Sequence, residues 1–332
     1  MSAHGNYITS QVSLALGSIE PPAVPGFQPF YRTGLGAAYV GDSLALLRAI
    51  PDSSVNLVLT SPPYALHFKK EYGNVAKREY VDWFMPFAHE IRRVLTDDGS
   101  FVLNIGGSYN KGVPTRSLYH FRLLIELVDA GGFHLAQEGF WFNPAKMPVP
   151  AEWVTVRRIR IRDSVEYVWW LSKTPWPKAD NRAVLKPYSE DMQRLNARGL
   201  RATTRPSGHA IRSSFSNVDA GGSIPANVVE ARDTSDQPGL SVPCDMLKFG
   251  NNSATDPYTR RCKNAGIKIH PARFPAALPE FYIKLLTTPG DTVLDPFAGS
   301  NTTGAVAESL ERCWIAADNV EEYLEASKFR FG

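Results

Sequence analysis

Cysteine is scarce in this chain: three in 332 residues. Cys244, Cys262 and Cys313 stand far apart and form no Cys-x-x-Cys pair, so neither a disulfide framework nor a zinc site is indicated, and no metal is expected. Long apolar runs are missing as well. None reaches the length of a membrane span, and the N-terminus has neither a basic start nor a clear cleavage site. No membrane is expected as a partner, and the cytoplasm is the expected compartment. Net charge is small too. At +3 it does not by itself argue for a nucleic acid, while 43% hydrophobic and 21% charged residues describe an ordinary globular chain, long enough for one large domain with an elaboration.

One stretch carries chemistry. Val55-Asn56-Leu57-Val58-Leu59 reads as a buried parallel strand, and Thr60-Ser61-Pro62-Pro63-Tyr64 ends it, because two prolines stop the ladder and stiffen the turn. The Ser61 hydroxyl and the Pro62 carbonyl then face off the strand's C-terminal end as acceptors, with the Tyr64 ring beside them. Such a site fits a planar ring bearing an exocyclic NH2. The lone pair of an aromatic amine is delocalised; acceptors gripping its hydrogens return electron density to nitrogen and stabilise the charge that develops in attack. The same residues also suit an ordinary turn after a core strand.

The other end of the chain supplies context. Thr292 to Phe297 reads as a second buried strand, Ala298-Gly299-Ser300-Asn301-Thr302-Thr303-Gly304 as a turn, and Ala305 to Leu310 as a helix. A glycine turn between strand and helix brings backbone N–H groups against a nucleotide-like ligand. Cys313 to Ala317 reads as the next strand. Asp318 at its end lies about 20 residues beyond the glycine turn, the spacing of a ribose-binding acid.

Together, Ser61-Pro62-Pro63-Tyr64 and Asp295-Pro296-Phe297-Ala298-Gly299-Ser300 resemble the paired catalytic and cofactor motifs of S-adenosylmethionine-dependent amino-methyltransferases acting on DNA. Ser at the first motif position resembles the cytosine-N4 enzymes, where adenine-N6 enzymes usually carry Asp or Asn. The catalytic motif comes before the cofactor motif, which resembles the beta-ordered, circularly permuted class. From Phe30 to Phe331 the chain resembles the PvuII-type cytosine-N4 methyltransferases of restriction-modification systems.

The resemblance implies an α/β, Rossmann-like methyltransferase fold with a mostly parallel seven-stranded sheet, and S-adenosylmethionine as cofactor. It implies double-stranded DNA as substrate, with CAGCTG modified at its inner cytosine, and a cognate restriction endonuclease as a functional rather than physical partner. Catalysis falls to Ser61, Pro62, Pro63 and Tyr64. Cofactor binding falls to Asp42, His270, Phe274, Asp295, Pro296, Phe297, Gly299, Ser300, Asn301, Thr302 and Asp318. Asp42 also reads as the N-cap of a helix through Leu44 to Leu47, and His270-Pro271-Ala272-Arg273-Phe274-Pro275, the motif that helps bind methionine, also suits an ordinary helix start.

Residues 1–29 read as a flexible arm, and His67 to Asn74, polar with a glycine, as a mobile loop able to close over a base. Tyr80 to Leu95 reads as a helix kinked at Pro86, Ser100 to Ile105 as a strand, Arg116 to Ala130 as a helix and Phe133 to Phe142 as a strand. Asn104, polar in an apolar run, is either a satisfied core amide or a residue that orients Ser61. Pro243-Cys244 resembles the nucleophile of cytosine-C5 methyltransferases, but turn residues flank it and no buried strand precedes it.

Residues 152–212 hold thirteen Lys and Arg against six Asp and Glu, interleaved with Trp153, Tyr167, Trp169, Trp170, Trp176 and Tyr188. This is the excess of a nucleic-acid surface, with Arg157, Arg158, Arg160, Lys186, Arg201 and Arg205 as DNA-binding candidates; the alternative is the solvated face of a core strand. The expected organisation is an arm at 1–29, a catalytic half at 30–150, a target-recognition region at 151–262 and a cofactor half at 263–332, in a monomer or dimer on the nucleoid. The expected reaction is direct transfer to N4 of a flipped cytosine. The alternatives are adenine-N6 transfer, an RNA or protein amide as acceptor, and a DNA-binding module with an inactive fold.

Overall fold

The apolar runs of the sequence become neighbours in one large sheet. The structure, a computed structural model, describes residues 22–66, 75–144, 146–198, 203–204, 206, 210–211, 221–230 and 257–331. Its strands in chain order begin with β1 (Tyr31–Arg32), β2 (Gly36–Val40), β3 (Val55–Thr60), β4 (Leu95–Ile105), β5 (Ser108–Tyr109), β6 (Arg116–Ser117) and β7 (His134–Phe142). They continue with β8 (Val165–Ser172), β9 (Thr203–Thr204), β10 (Ala210–Ile211), β11 (Val228–Glu230), β12 (Thr292–Asp295) and β13 (Cys313–Asp318). The α-helices are α1 (Ser43–Ala49), α2 (Tyr80–Val94), α3 (Tyr119–Asp129), α4 (Glu190–Arg198), α5 (Pro257–Asn264), α6 (Ala277–Leu286), α7 (Thr302–Ser309) and α8 (Glu321–Ser327).

The large sheet has the order β1-β2-β13-β12-β3-β4-β8-β7-β11. Strands β2, β13, β12, β3 and β4 run parallel, and β8 is antiparallel to both β4 and β7. Those seven strands are the ones the resemblance implies. The two- and three-residue strands β1 and β11 extend the edges and carry too little pattern to be read from sequence. Alternation along β3 separates the layers. Val58 packs in one core with Leu46, Leu47, Phe84, Ile91 and Leu123, so α1, α2 and α3 cover that face. Leu57 and Leu59 pack in a second core with Leu278, Ile283, Leu286, Ala307 and Leu324, under α6, α7 and α8. Burial on both faces is why such strands read as continuous apolar runs.

Three sequence expectations need correction. Leu95 begins β4 rather than ending α2, because its backbone pairs with Val55 of β3. Arg116 and Ser117 form β6 against β5, so α3 begins only at Tyr119. Residues 22–29 of the expected arm are packed down: Val24 is buried, its N–H donates to Tyr39 Oη at 3.2 Å, and Phe27 lies against the core. Residues 1–21 lie outside the described residues, as do His67 to Asn74 and Cys244.

Strand order reverses between β3 and β12. From β3 the chain crosses outward to β4, and from β12 it crosses the other way to β13. Asp295, 2% exposed at the end of β12, pins this junction. Its Oδ1 accepts from Thr60 Oγ1 of β3 (2.6 Å) and from Phe297 N (3.1 Å), and its Oδ2 accepts from Thr303 Oγ1 of α7 (2.6 Å). Burial pushes the Asp295 carboxyl up to about 6, against the pull of those three donors. The folded value lies above the unfolded one, so the stability this group contributes is fully present below about pH 4 and is lost as pH rises through about 6.

Thr60→Val keeps the side-chain shape and removes one donor from a buried carboxylate, a loss of about 1–3 kcal/mol. Losing that donor raises the folded value further. The loss is therefore larger at about pH 8, with Asp295 ionised, than at about pH 5. Urea unfolding at both pH values measures it, and an equal loss at both contradicts an ionised pin.

Candidate active site

Open α/β sheets take their ligands beyond the C-terminal ends of the strands where the order reverses. A cavity of about 990 Å³ opens there. Its lining includes Ser61, Pro62, Pro63 and Tyr64 after β3, and Pro296, Phe297, Gly299, Ser300 and Thr302 after β12. Asp42 after β2, Asp318 at the end of β13, and His270 with Phe274 ahead of α6 complete the set expected from sequence. Asp295 and Asn301 do not line it. Both are buried behind the turn, Asp295 as the strand pin and Asn301 as the N-cap of α7, with Oδ1 accepting from Gly304 N at 3.1 Å and Nδ2 donating to Tyr31 Oη at 2.9 Å.

The glycine turn is held from several sides. Gly299 sits at φ +51°, and a Cβ there would lie 3.2 Å from His270 Nε2, so both its conformation and its surroundings favour glycine. Its N–H donates to Asp318 Oδ2 at 2.8 Å, while Asp318 Oδ1 accepts from Val320 N at 2.9 Å. Burial pushes the Asp318 carboxyl up, and these backbone donors oppose it. Arg330 closes the turn from behind, donating through Nε to Ser300 O (2.6 Å) and through Nη2 to Ser300 Oγ (3.0 Å). The His270 ring lies edge-on to Tyr323, and its Nδ1 accepts from Ala272 N at 3.3 Å. Burial pulls His270 down to about 4, so the ring is neutral near pH 7 and carries its proton on Nε2. Asp42 serves as the N-cap of α1, accepting from Leu44 N at 2.9 Å, and lines the cavity as well.

On the other side, the Ser61 to Tyr64 turn belongs to a polar chain. Ser61 Oγ donates to Tyr64 Oη at 3.2 Å, and Tyr64 Oη lies 2.9 Å from Glu166 Oε2 and 3.2 Å from Asn104 Oδ1. Glu166, on β8, pairs through Oε1 with Lys146 Nζ at 3.0 Å. Asn104 commits its Nδ2 to Tyr167 O at 3.1 Å, so it is a satisfied core amide, and it touches Tyr64 rather than Ser61. Tyr80 Oη donates to Pro63 O at 2.9 Å and ties the turn to α2. Gly106 lies against the Tyr64 ring, where a Cβ would come within 2.5 Å of Cε2. Burial, with the Glu166 charge, pushes the Tyr64 hydroxyl well above its usual range, so it stays protonated. Sequence reasoning passed over Glu166, Lys146 and Arg330. A lone polar residue inside an apolar strand was the available signal for Glu166, as it was for Asn104.

The described DNA-binding candidates Arg157, Arg158, Arg160 and Lys186 do not line the cavity. Arg157, Arg158 and Arg160 are exposed on the connection between β7 and β8. Arg157 pairs with Glu152 at 2.7 Å and stacks over Trp153, while Arg160 donates to Pro114 O. Among the described residues neither Arg158 nor Arg160 has an acidic partner. Lys186 is fixed through its backbone by a bridge to Ser223. Arg201 and Arg205 lie outside the described residues.

Comparison with known proteins gives the family. The chain is 51% identical over 309 residues to the type II methyltransferase M.PvuII of Proteus hauseri, covering 92% of this chain and 86% of that protein. The solved structure of PvuII DNA methyltransferase (cytosine-N4-specific) superposes with a TM-score of 0.71 at 45% identity, over 92% of this chain and 90% of that one. A DNA modification methylase of Thermus thermophilus, complexed with S-adenosyl-L-methionine, shares the fold at a TM-score of 0.50 and 19% identity, over 89% and 93% of the two chains. The family profile described as DNA methylase matches residues 55–329. The chain belongs to that DNA methylase family.

Proposed function

We propose that this chain transfers a methyl group from S-adenosylmethionine to the exocyclic N4 of a cytosine in duplex DNA, as the modification enzyme of a type II restriction-modification system. The observation that carries this reading is the single cavity into which the Ser61 to Tyr64 turn and the Phe297 to Ser300 turn both open. One turn suits an amino group and the other a cofactor, so the two reactants meet in one place. The relative at 51% identity is named a type II methyltransferase, and the similar solved structure is named cytosine-N4-specific. Ser61 and that name favour cytosine over adenine. CAGCTG is the proposed site, on the PvuII-type resemblance.

The residues present fit the cofactor. Gly299 keeps open the space that a side chain would fill, and the Asp318 carboxylate stands beside it at the cavity wall. We assign Asp318 to the ribose, Asp42 to the adenine end, and His270 with Phe274 to the methionine end. Asp295 and Asn301 act on the cofactor only by shaping the turn. When bound, S-adenosylmethionine supplies an electrophilic methyl group on a sulfonium.

The chain's own residues then position the acceptor. The cytosine leaves the helix because its amino group is otherwise paired. Ser61 Oγ and the Pro62 carbonyl accept from the N4 hydrogens, Pro62 and Pro63 hold the turn stiff, and the Tyr64 ring borders the base. We assign Arg157, Arg158 and Arg160 to phosphates, and target reading to the segment 151–262 that contains them. An enzyme with this substrate works on the nucleoid, in the cytoplasm.

Incubation with isotope-labelled S-adenosylmethionine and unmodified duplex DNA, followed by digestion to nucleosides and mass spectrometry, is the test. Label is expected in N4-methylcytosine; label in N6-methyladenine overturns the reading of Ser61. Ser61→Ala is expected to slow turnover by roughly 100-fold while DNA affinity stays within about twofold. A lost affinity with normal turnover contradicts the assigned role. For Arg158→Ala and Arg160→Ala, weaker DNA binding is expected, with the slope of log affinity against log salt shallower by about 0.9 for each. Slopes equal to that of the unaltered protein would remove these residues from the interface.

A further inference from the structure

The acceptor turn presents a directional problem. A serine hydroxyl can donate or accept, yet the proposed reaction needs Ser61 to accept from an amino group. Three groups around the Tyr64 hydroxyl settle the direction, and two of them, Asn104 and Glu166, also line the cavity. Glu166 is ion-paired with Lys146 and so offers Tyr64 only acceptor oxygens, the nearer at 2.9 Å. Asn104 donates from Nδ2 to Tyr167 O, which fixes its amide so that the carbonyl oxygen faces Tyr64. Both neighbours accept, so the Tyr64 hydroxyl donates. Its oxygen is then left to receive the Ser61 proton at 3.2 Å, and Ser61 Oγ faces the cavity with its lone pairs.

We propose that Glu166 is the positioning residue that fixes the polarity of this chain, so that Ser61 accepts from an exocyclic NH2 and disfavours a C=O at the same place on the ring. The inference rests on the cytosine-N4 reading of the same site. Its consequence is discrimination of cytosine from uracil, whose position-4 oxygen meets acceptor lone pairs instead of a proton. Glu166 lines the same cavity, and in this role it acts on the base through Tyr64. Glu166→Gln keeps the size of the side chain but brings an NH2 to the end of the chain. That group can donate to Tyr64, which frees Tyr64 to donate to Ser61 and lets Ser61 donate to the base.

The test uses the full-length protein and two duplexes that differ only in cytosine or uracil at the target position. Affinity for each is read by fluorescence anisotropy, and the ratio is compared between proteins so that the difference in base pairing cancels. In Glu166→Gln the preference for cytosine is expected to shrink roughly tenfold, the worth of about one hydrogen bond. The single-turnover methylation rate is expected to fall roughly 100-fold, with cofactor affinity and the KM for DNA within about twofold. Tyr64→Phe cuts the same link, and the double variant should be no slower than either single one. An unchanged ratio in Glu166→Gln, or losses that multiply in the double variant, overturns the proposal. If Glu166→Gln fails to bind cofactor, Tyr64→Phe carries the test alone, since it leaves the Glu166–Lys146 pair in place; an unchanged ratio there is equally fatal. Unaltered protein that makes no N4-methylcytosine would instead sink the cytosine-N4 reading itself.

Discussion

A buried carboxylate holds the site together. Asp295 ends β12 with its oxygens shared between the hydroxyl of Thr60, which ends β3, and that of Thr303, in the first turn of α7. Ser61 follows Thr60 directly, and Phe297 to Ser300 follow Asp295. The residues proposed to carry the acceptor base and the cofactor therefore hang from one short hydrogen-bonded bridge. An unpaired carboxylate at this depth is costly, and three donors are what make the position tolerable. The stability of the junction and the spacing of the two half-sites depend on the same contacts.

On each side of the bridge a buried polar group sets geometry instead of adding stability. Asp318 fixes the backbone of Gly299, Arg330 fixes Ser300, and Glu166 with Asn104 fixes Tyr64. Satisfied networks of this kind specify one arrangement, and a half-satisfied one is worse than an apolar core. The exposed cations on the connection from β7 to β8 follow the opposite rule. A pair such as Arg157 with Glu152 is solvated, contributes little to stability and can be exchanged for a phosphate at small cost. Rigid acceptors inside and exchangeable cations outside suit the proposed reaction, in which a duplex is bound and a single base is then oriented.

The two motifs were legible because their chemistry is local. Ser61 to Tyr64 and Asp295 to Ser300 are contiguous stretches, and each follows an apolar run that is buried on both faces. The spacing from Gly299 to Asp318 was legible for the same reason: a strand, a turn, a helix and a strand have a nearly fixed length. Glu166 and Lys146 escaped notice because their meaning is not local. They lie over 80 residues beyond Ser61 in sequence, and Glu166, with Lys146 paired to it, reaches Tyr64 only because β8 pairs antiparallel with β4. The start of β4 was misplaced because Leu95 continues the apolar spacing of α2, and only pairing with Val55 of β3 decides the matter. The edge strands β1 and β11 have too few residues to carry an alternation at all.

The order of the halves along the chain places the proposed acceptor motif before the proposed cofactor motif, and the sheet makes that order immaterial. The contacts joining the halves run sideways, between β3 and β12 and between β2 and β13, and depend on no particular connection. The first and last elements of the described fold are also joined. Tyr31 donates to or accepts from Ser327 Oγ at 2.6 Å, receives a bond from Asn301, and packs edge-on against Phe331. In a sheet whose neighbours are distant in sequence, the ends of the domain come together at the surface, and where the chain is opened is a matter of loops. The fold therefore constrains which strands lie side by side at the Asp295 bridge, and leaves free the order in which the chain visits them.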